Sequence, residues 1–244
     1  MRLAVISDIH GNLDAFRRVL EDMDRSMVDA VVCLGDAIGY GPEPDQVVSL
    51  IDDLKVPAII GNHELAAIEP ACLREFNPPA RASIEMTMGM LSERSLHFIR
   101  ALQPYHIGWK CHFVHGFPPD SIDTYLHGVS KERLESAFHL LDQKICFAGH
   151  THLLEIIGFD GRQVIHAPLP QGVVGLERPL KYIINAGSVG QPRDADKRAK
   201  YVIWDDAAYT IEARFVSYDI WAVYHKILQA GLPRVHADRL IFRG

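Results

Sequence analysis

The stretch that most constrains the fold is residues 5–12, where a buried strand leads into two metal-ligating residue types. Residues 3–6 form a continuous apolar run, which is typical of a strand that is covered on both faces. Asp8 and His10 follow two positions apart, and on an extended chain such residues point the same way. The next two residues, Gly-Asn, predict a sharp turn and the cap of a helix. We therefore expect a carboxylate and an imidazole on one side of a strand end.

Two further apolar runs end in polar residues of similar kinds. Residues 30–34 precede Asp36, and residues 56–60 precede Asn62. Helical patterns separate the three runs, so the chain begins as a βαβαβ unit with a parallel sheet. The helices are expected at residues 12–24 and 45–54. Asp8, Asp36 and Asn62 lie 28 and 26 residues apart, and open α/β sheets bind ligands outside the carboxyl ends of their strands. We expect these three side chains at one edge of one sheet.

The second half of the chain shows the same arrangement twice more. The run 109–114 ends at His115, and the run 144–148 ends in Gly-His-Thr-His, which places His150 and His152 two positions apart. Further strands are expected at residues 153–159 and 162–166, as a hairpin with an Asp-Gly turn, and at 182–185, 200–204 and 210–216. Further helices are expected within residues 65–102, at 130–141 and at 219–230, with a terminal strand or an arm from residue 231.

Short motifs occur in a fixed order along the chain. They are Asp-x-His, Gly-Asp, Gly-Asn-His-Glu, His-Gly and Gly-His-Thr-His, followed by Asn-Ala-Gly-Ser-Val-Gly-Gln-Pro-Arg at residues 185–193. This order resembles the calcineurin-like metallophosphoesterase superfamily, and the last segment resembles its small bacterial and archaeal phosphodiesterase branch. The resemblance spans residues 8–193, about three quarters of the chain. It implies an α/β fold, a four-layer αββα sandwich of two mixed β-sheets flanked by helices, with a dimetal site at the strand ends.

The candidate ligands combine carboxylate, imidazole and amide oxygen groups. Such a set favours Mn²⁺, Fe, Zn²⁺ or Ni²⁺ over Mg²⁺, which prefers oxygen ligands and water. The resemblance implies two divalent transition-metal ions, with manganese or iron preferred and zinc or nickel as alternatives. It implies one ion on Asp8, His10, Asp36 and His152, and the other on Asp36, Asn62, His115 and His150, with Asp36 as the bridge. It also implies that a metal-bridging hydroxide attacks phosphorus.

Three other residues are candidates for catalysis and substrate binding. His63 directly follows a ligand position, and the resemblance implies that it acts as a general acid or as a stabiliser of the transition state. Arg193 follows a Gly-rich loop that can approach a phosphate closely, so it binds substrate or else forms a surface ion pair with Asp194. Tyr40 lies in the Gly-rich loop after Asp36 and is a candidate for stacking on the substrate.

The remaining basic residues and histidines receive no functional assignment. Lys197, Arg198 and Lys200 are expected on a solvated face. The other histidines are expected to be ordinary surface or core residues; they are His97, His106, His112, His127, His139, His166, His225 and His236.

Composition limits the partners of the chain. The 244 residues carry a net charge of −6, whereas proteins that bind long nucleic acids usually show a basic surplus. A small phosphorylated substrate is therefore expected, and a long nucleic acid is not. No apolar run approaches the roughly 20 residues of a membrane span. The four cysteines show no CxxC spacing, and three lie in apolar runs, so we expect a reduced, cytoplasmic protein. Whether it forms a homo-oligomer is left open.

The pattern predicts a two-metal-dependent phosphoesterase that hydrolyses a small phosphate monoester or diester. Because both halves supply the candidate site, residues 1–244 are predicted to form a single domain. A dinucleoside polyphosphate hydrolase and a protein phosphatase are the enzymatic alternatives. A metal-binding scaffold on the same fold is the alternative that performs no catalysis.

Overall fold

The computed structural model describes residues 1–242 as two β-sheets with helices packed on their outer faces. The strands are β1 (Arg2–Ile6), β2 (Ala30–Cys33), β3 (Tyr105–Gly108), β4 (Cys111–Val114), β5 (Ile145–Ala148), β6 (Leu154–Phe159), β7 (Val164–Pro168), β8 (Gly172–Gly175), β9 (Lys181–Ala186), β10 (Ala199–Asp205) and β11 (Thr210–Val216). The α-helices are α1 (Leu13–Arg25), α2 (Pro44–Asp53), α3 (Asn62–Ile68), α4 (Pro78–Met88), α5 (Glu93–Ala101), α6 (Lys131–Leu140), α7 (Ile220–Gln229) and α8 (Arg234–Ile241), and a 3₁₀ helix spans Pro70–Glu75. None of the helices within residues 1–242 is both long and apolar enough to cross a membrane.

Both sheets mix parallel and antiparallel pairs. The first has the strand order β2-β1-β10-β11-β8, and the second has the order β3-β4-β5-β9-β6-β7. In the first sheet β1 pairs with β2 in parallel and with β10 antiparallel. In the second sheet β4, β5 and β9 are parallel neighbours, whereas β6 joins β9 antiparallel. The prediction of two mixed sheets flanked by helices is confirmed.

The two sheets pack face to face through one apolar core. Leu3 and Val5 of β1 lie in that core together with Phe147 of β5. The alternate β1 residues, Ala4 and Ile6, belong instead to the core that α1 and α2 form on the other face. Successive strand residues point to opposite faces, so a strand that is buried on both faces requires the continuous apolar run seen in the sequence.

The helices attach through apolar faces on the outer side of each sheet. Asn12 caps α1, because its side-chain oxygen accepts the N–H of Ala15 at 3.1 Å. Phe16 of α1 is fully buried against the first sheet. On the outer face of the second sheet, Phe138 of α6 packs in a separate cluster with Ile183 of β9. The layers therefore run helix, sheet, sheet, helix.

The segment after α2 is not the regular strand that its apolar run predicts. Within residues 1–242 its strand-like pairing consists of two isolated parallel bridges, one from Ala58 to Cys33 and one from Ile59 to Gln103. The segment still leads to Asn62, which is the first residue of α3.

Three other elements differ from the sequence prediction. The run 109–114 is divided, because residues 109 and 110 have left-handed backbones (φ 49° and 61°) and form the turn between β3 and β4. Strand β8 lies at a sheet edge, where Val173 is 65% exposed, so it lacks the pattern of a buried strand. The tail is not a terminal strand or an arm. It forms α8, and Ala237 and Leu240 bury its inner face against α7.

Candidate metal centre

The loops that follow the strands of both sheets are hydrogen-bonded to one another. The N–H of Asp8 donates to the carbonyl of Gly35 at 3.1 Å, and the N–H of His10 donates to the carbonyl of Asp36 at 2.9 Å. From the second half of the chain, the N–H of Gly190 donates to the carbonyl of Asp8 at 3.0 Å. Three loops that are distant in sequence therefore form one platform, as the strand-end argument predicts.

Five of the candidate ligands have left-handed backbones, a region that residues other than glycine seldom occupy. The φ angles are 55° at Asp8, 49° at His10, 52° at Asp36, 65° at His150 and 62° at His152. The extended i, i+2 geometry expected for the two motif pairs is therefore wrong, because β1 and β5 end before those pairs begin. Backbone strain of this kind is concentrated at functional sites, where the surrounding structure holds it in place.

Asp8, His10 and His152 form the first group of side chains that could hold an ion. The Nε2 atom of His152 lies 3.2 Å from Oδ1 of Asp8 and 3.2 Å from Nε2 of His10. Nε2 of His10 also lies 3.8 Å from Oδ2 of Asp36, which belongs to the second group. All four residues are buried.

Asp36, Asn62, His115 and His150 form the second group. Nε2 of His115 lies 3.3 Å from Oδ2 of Asp36 and 3.1 Å from Oδ1 of Asn62. The ring centroid of His150 lies 5.1 Å from that of His115. Asp36 lies between the two groups, so the structure brings all seven candidate ligands together, and Asp36 has the position that a bridging carboxylate would need.

The orientation of the four imidazoles leaves one nitrogen of each ring free to bind a cation. Nδ1 of His10, His115 and His152 lies 2.9, 2.7 and 2.6 Å from a backbone carbonyl oxygen. Since a carbonyl can only accept, Nδ1 carries a proton in each ring, and in the neutral form of the ring Nε2 presents a lone pair towards the group. In His150 the two ring nitrogens exchange roles. Its Nε2 donates to the carbonyl of Asp123 at 2.9 Å and leaves Nδ1 free.

Two of these lone pairs face each other. Nε2 of His10 and Nε2 of His152 lie 3.2 Å apart, although both rings donate through Nδ1. Beside them, Oδ1 of Asp8 is buried and has no hydrogen-bond partner among residues 1–242. A buried acceptor without a donor is costly, and a cation would satisfy all three atoms. The donor set of carboxylates and imidazoles suits a divalent transition metal.

The charges of the cluster also suit metal binding. Burial lowers the pKa of His10 well below its ordinary value and lowers the pKa of His150 to about 3, so both rings are neutral, the form that binds metals. Burial would lower the pKa of His115 as well, but the carboxylate of Asp36 outweighs burial and raises it to about 9. An ion on His115 would therefore displace a proton from that ring.

His63 is buried beside the cluster. Its ring centroid lies 4.7 Å from that of His10, 4.6 Å from that of Tyr40 and 5.2 Å from that of Phe76. Burial lowers the pKa of His63 to about 4, so its ring is neutral at pH 7. Gly39 makes room for it, because a Cβ atom at that position (φ +81°) would lie 2.0 Å from Nδ1 of His63.

A cavity of about 610 Å³ opens over the cluster. Its wall includes His63 and members of both ligand groups. The two predicted substrate-binding residues, Tyr40 and Arg193, line the same cavity. Arg193 forms no ion pair with Asp194, which binds Lys200 instead, so the surface-pair alternative for this arginine is wrong.

Further cavity residues come from segments to which the sequence assigned no function; they are Phe76, Tyr125, Lys197, His236 and Arg239. His236 was expected to be ordinary, but its ring centroid lies 4.4 Å from that of Tyr40, and its Nδ1 is buried without a hydrogen-bond partner in the described chain. The ring of Tyr125 stacks on that of His150 with centroids 4.0 Å apart. No motif marks these residues, because only the tertiary structure brings their segments to the cavity.

The expectation of a solvated face at residues 197–200 is wrong for Lys200. Its side chain is fully buried, and Nζ donates to Oδ1 of Asp194 at 2.8 Å and to the carbonyls of Asp196 and Arg198. A buried ammonium is tolerated when it is paired in this way. Lys197 faces the cavity, whereas Arg198 lies partly exposed and pairs with Asp196.

Comparison with known proteins agrees with this geometry. The model of the calcineurin-like phosphoesterase superfamily domain matches residues 1–207. An uncharacterized protein of Methanocaldococcus jannaschii is 35% identical over 244 residues, which cover 98% of this chain and 96% of that protein. The crystal structure of a metallophosphoesterase from Sphaerobacter thermophilus matches with a TM-score of 0.85 and 35% identity, over 98% of each chain.

A hypothetical protein from Pyrococcus horikoshii OT3 shares the fold, with a TM-score of 0.82 and 17% identity over 100% of this chain and 98% of that one. The motif order, the two mixed sheets and the match over most of the length agree. The chain therefore belongs to the calcineurin-like phosphoesterase superfamily and is a phosphoric ester hydrolase of this metal-dependent family.

Proposed function

We propose that the chain hydrolyses a small phosphate monoester or diester with the help of two divalent transition-metal ions. The observation that carries this proposal is the pair of facing lone pairs on His10 and His152, next to the unpartnered oxygen of Asp8. A second group around Asp36 and His115 lies beside the first. Both open into one cavity whose volume, about 610 Å³, suits a small substrate.

We assign the ions to the two groups of residues. One ion is assigned to Asp8, His10, Asp36 and His152, and the other to Asp36, Asn62, His115 and His150. Manganese or iron is the proposed metal, with zinc and nickel as alternatives. When bound, such ions lower the pKa of water into the neutral range and neutralise charge on phosphoryl oxygens. The left-handed backbones hold the ligands in position before the substrate arrives.

His63 is the proposed catalytic residue that binds no metal. Burial already lowers its pKa to about 4, and nearby cations would lower it further. A neutral imidazole is a weak acid but a good N–H donor. Of the two roles expected from the sequence, we therefore propose that His63 donates a hydrogen bond to the negative charge that develops on phosphoryl oxygens, rather than a proton to the leaving group.

Arg193 and Tyr40 are the proposed substrate-binding residues. The guanidinium of Arg193 suits phosphate oxygens, because its planar donors can form two charge-assisted hydrogen bonds at once. The ring of Tyr40, with its centroid 4.3 Å from that of His10, suits the organic part of the substrate.

The alternatives differ in substrate or in the lack of catalysis. A dinucleoside polyphosphate hydrolase would use the same metal centre on a longer substrate, and a protein phosphatase would use it on a phosphorylated side chain. A scaffold without activity is disfavoured, because His63 lines the same cavity as four candidate ligands. The other three candidate ligands, Asp8, His10 and His115, lie beside these four.

We also propose that residues 1–244 act as a single domain in the cytoplasm. The cavity joins Asp36 near the beginning of the chain to Arg239 near its end, so neither half completes the site alone. All four cysteines are free, and Cys33, Cys111 and Cys146 are buried thiols, which suits a reducing compartment.

The test is hydrolysis of phenyl phosphate and bis-4-nitrophenyl phosphate by protein that has been stripped of metal and reloaded separately with Mn²⁺, Fe²⁺, Zn²⁺, Ni²⁺ or Mg²⁺. We expect hydrolysis with Mn²⁺ or Fe²⁺, and its loss in Asp36→Asn. The matched control is Asp53→Asn, which removes a carboxylate that pairs with Arg94 away from the cavity. If the reloaded protein hydrolyses neither these esters nor dinucleoside polyphosphates nor phosphopeptides, it is the scaffold.

A further inference from the structure

Three cationic side chains line the cavity besides the candidate metal centre. We call Arg193, Lys197 and Arg239 the cationic wall. None of the three forms an ion pair with a carboxylate of residues 1–242. Nε of Arg193 and Nζ of Lys197 are buried atoms without a hydrogen-bond partner in the same part of the chain. Buried donors normally have partners, so these two atoms lack an acceptor, whereas Arg239 donates to the side-chain oxygen of Gln191 at 3.5 Å.

The three charges lie close enough to affect one another. Burial lowers the pKa of Arg239, and the charge of Arg193 lowers it further. Burial also lowers the pKa of Lys197, the charge of Asp194 raises it, and the charges of Lys200 and Arg239 lower it. Three cations that repel one another in a chain of net charge −6 are unfavourable without a shared counter-charge.

The carboxylates near the cationic wall form ion pairs or hydrogen bonds with other residues. Asp194 binds the buried Lys200, and Asp123 accepts from the hydroxyl of Ser121 at 3.1 Å. Glu75, also in the cavity wall, is exposed and pairs with Arg74. None of these carboxylates forms an ion pair with the cationic wall, although the charge of Asp194 acts on Lys197 at longer range. A bound anion would supply the direct counter-charge.

The cationic wall is held in place rather than left on a free loop. The buried Lys200 donates hydrogen bonds to Asp194 and to the carbonyl of Arg198, on either side of Lys197, and so fixes this segment. Just before Arg193, the carbonyl of Gln191 accepts from Nδ1 of His152 at 2.6 Å, which links this segment to a candidate metal ligand. Side chains fixed in this way bind an anion with little loss of conformational entropy.

Tyr40 lies between His10 of the metal centre and His236 of α8. Its ring centroid lies 4.3 Å from that of His10 on the metal side and 4.4 Å from that of His236 on the other side. Arg239 follows His236 by one turn of α8 and also lines the cavity. The cavity wall therefore extends from the candidate metal centre, past an aromatic ring, to a helix that carries a cation.

We propose that the substrate carries a second phosphate group besides the scissile one, and that Arg193, Lys197 and Arg239 bind this second group. The substrate class is a bisphosphate or a phosphoric anhydride. This inference rests on the proposed function only in that the metal centre binds the scissile group. The competing possibility is that all three cations bind the scissile phosphate itself.

The experiment measures the affinity of the purified, metal-loaded protein for anions that it cannot hydrolyse. Isothermal calorimetry compares methylphosphonate with methylenebisphosphonate and 1,3-propylenebisphosphonate, which sample two spacings of the phosphonate groups. We expect at least one bisphosphonate to bind about 10- to 100-fold more tightly than methylphosphonate, the range of one charge-assisted hydrogen bond or slightly more.

Lys197→Met and Arg239→Met are expected to reduce this preference by a similar factor. The matched control is Arg198→Met, which removes a cation of the same loop that pairs with Asp196 outside the cavity. Metal content and thermal unfolding are measured for every variant, so that loss of metal or of folding is recognised. Equal affinities in the wild type, or an equal weakening of all three anions in the variants, would overturn the proposal.

Because the calorimetry needs no turnover, it still reports on the second site if the protein proves not to hydrolyse esters. The kinetic arm compares phosphate release from adenosine 5′-monophosphate with release from adenosine 5′-diphosphate and adenosine 3′,5′-bisphosphate. We expect kcat/KM to favour a doubly phosphorylated compound, and Lys197→Met to reduce that ratio about 10-fold or more. A ratio that is the same in the wild type and in Lys197→Met would contradict the assignment.

Discussion

The carboxylate of Glu64 accepts the backbone N–H of Asp36 at 2.8 Å, although 28 residues separate them. It also accepts the N–H groups of Ile38 at 3.1 Å and of Gly61 at 3.0 Å, and Glu64 is almost completely buried. One side chain therefore holds together the loop after β2 and the beginning of α3. Burial and the charge of Asp36 raise the pKa of Glu64 to about 7, although the N–H groups of Ile38 and Asp36 act in the opposite direction.

We expect Glu64→Gln to destabilise the protein and to loosen the metal centre. The amide –NH₂ group of glutamine would face an N–H donor that now has an acceptor, at a cost of about 1–3 kcal/mol in the free energy of unfolding. The measurements are urea unfolding and metal content. Glu69→Gln, at the exposed C-terminal end of the same helix, is the control and should change neither quantity. A variant with wild-type stability and metal content would show that Glu64 has no positioning role.

Metal stoichiometry tests the proposed bridge. Asp36→Asn should remove both ions, because a neutral amide replaces the carboxylate that lies between the two groups. His152→Ala should affect mainly one ion, because its Nε2 lies beside Asp8 and His10 only. Elemental analysis of the purified variants measures both. Full occupancy in Asp36→Asn would refute the assignment.

His63→Ala should lower kcat and leave metal content unchanged. An N–H donor that stabilises transition-state charge contributes on the order of 10²–10³-fold, whatever the leaving group is. We therefore expect a similar loss of kcat for phenyl phosphate, alkyl phosphates and 4-nitrophenyl phosphate. A much smaller loss with the nitrophenyl ester would identify His63 as a general acid instead, since that leaving group needs little protonation. Loss of metal would make His63 a ligand, which its position beside His10 and Asp36 allows.

Asp22 provides a test of stability far from the site. Its carboxylate accepts two hydrogen bonds from Arg214, at 3.0 and 2.8 Å, and one from Tyr201 at 2.8 Å. Burial would raise the pKa of Asp22, but these partners outweigh burial and lower it. Asp22→Asn should reduce the free energy of unfolding at pH 7 by about 1–3 kcal/mol.

The contacts of Asp22 also predict that the free energy of unfolding depends on pH. Because the folded-state pKa of Asp22 is lowered, its stabilisation is complete above its ordinary value of about 3.9 and is lost as pH falls through the folded value. The difference between wild type and Asp22→Asn should therefore shrink between pH 4 and pH 2 in urea unfolding. Glu21→Gln, whose partner Arg18 is exposed, is the control and should have little effect at any pH. A constant difference over the acid range would contradict the prediction.

The sequence by itself determined four of the strands that lead to candidate ligands, β1, β2, β4 and β5. The apolar run of residues 3–6 predicts a strand that is buried on both faces, which places Asp8 at a sheet edge. The parallel pairing of β1 with β2 then brings Asp8 and Asp36 together. These are local patterns of hydrophobicity and turn residues, and they need no knowledge of distant contacts.

Only the tertiary structure decided how each ligand is presented. The left-handed backbones of Asp8 and His152 and the proton on Nδ1 of His152 depend on carbonyl groups that other loops supply. The third apolar run, residues 56–60, does not form a regular strand, because in the described chain it forms single bridges to Cys33 and to Gln103 instead of a continuous ladder.

The cationic wall likewise depends on packing between distant segments. Arg239 reaches the cavity because α8 packs on α7, and Lys197 reaches it because Lys200 is buried beneath the same loop. No local pattern in the sequence distinguishes these cations from solvated ones. Their environment is set by residues more than a hundred positions away, such as Tyr40, and it exists only when the chain is folded.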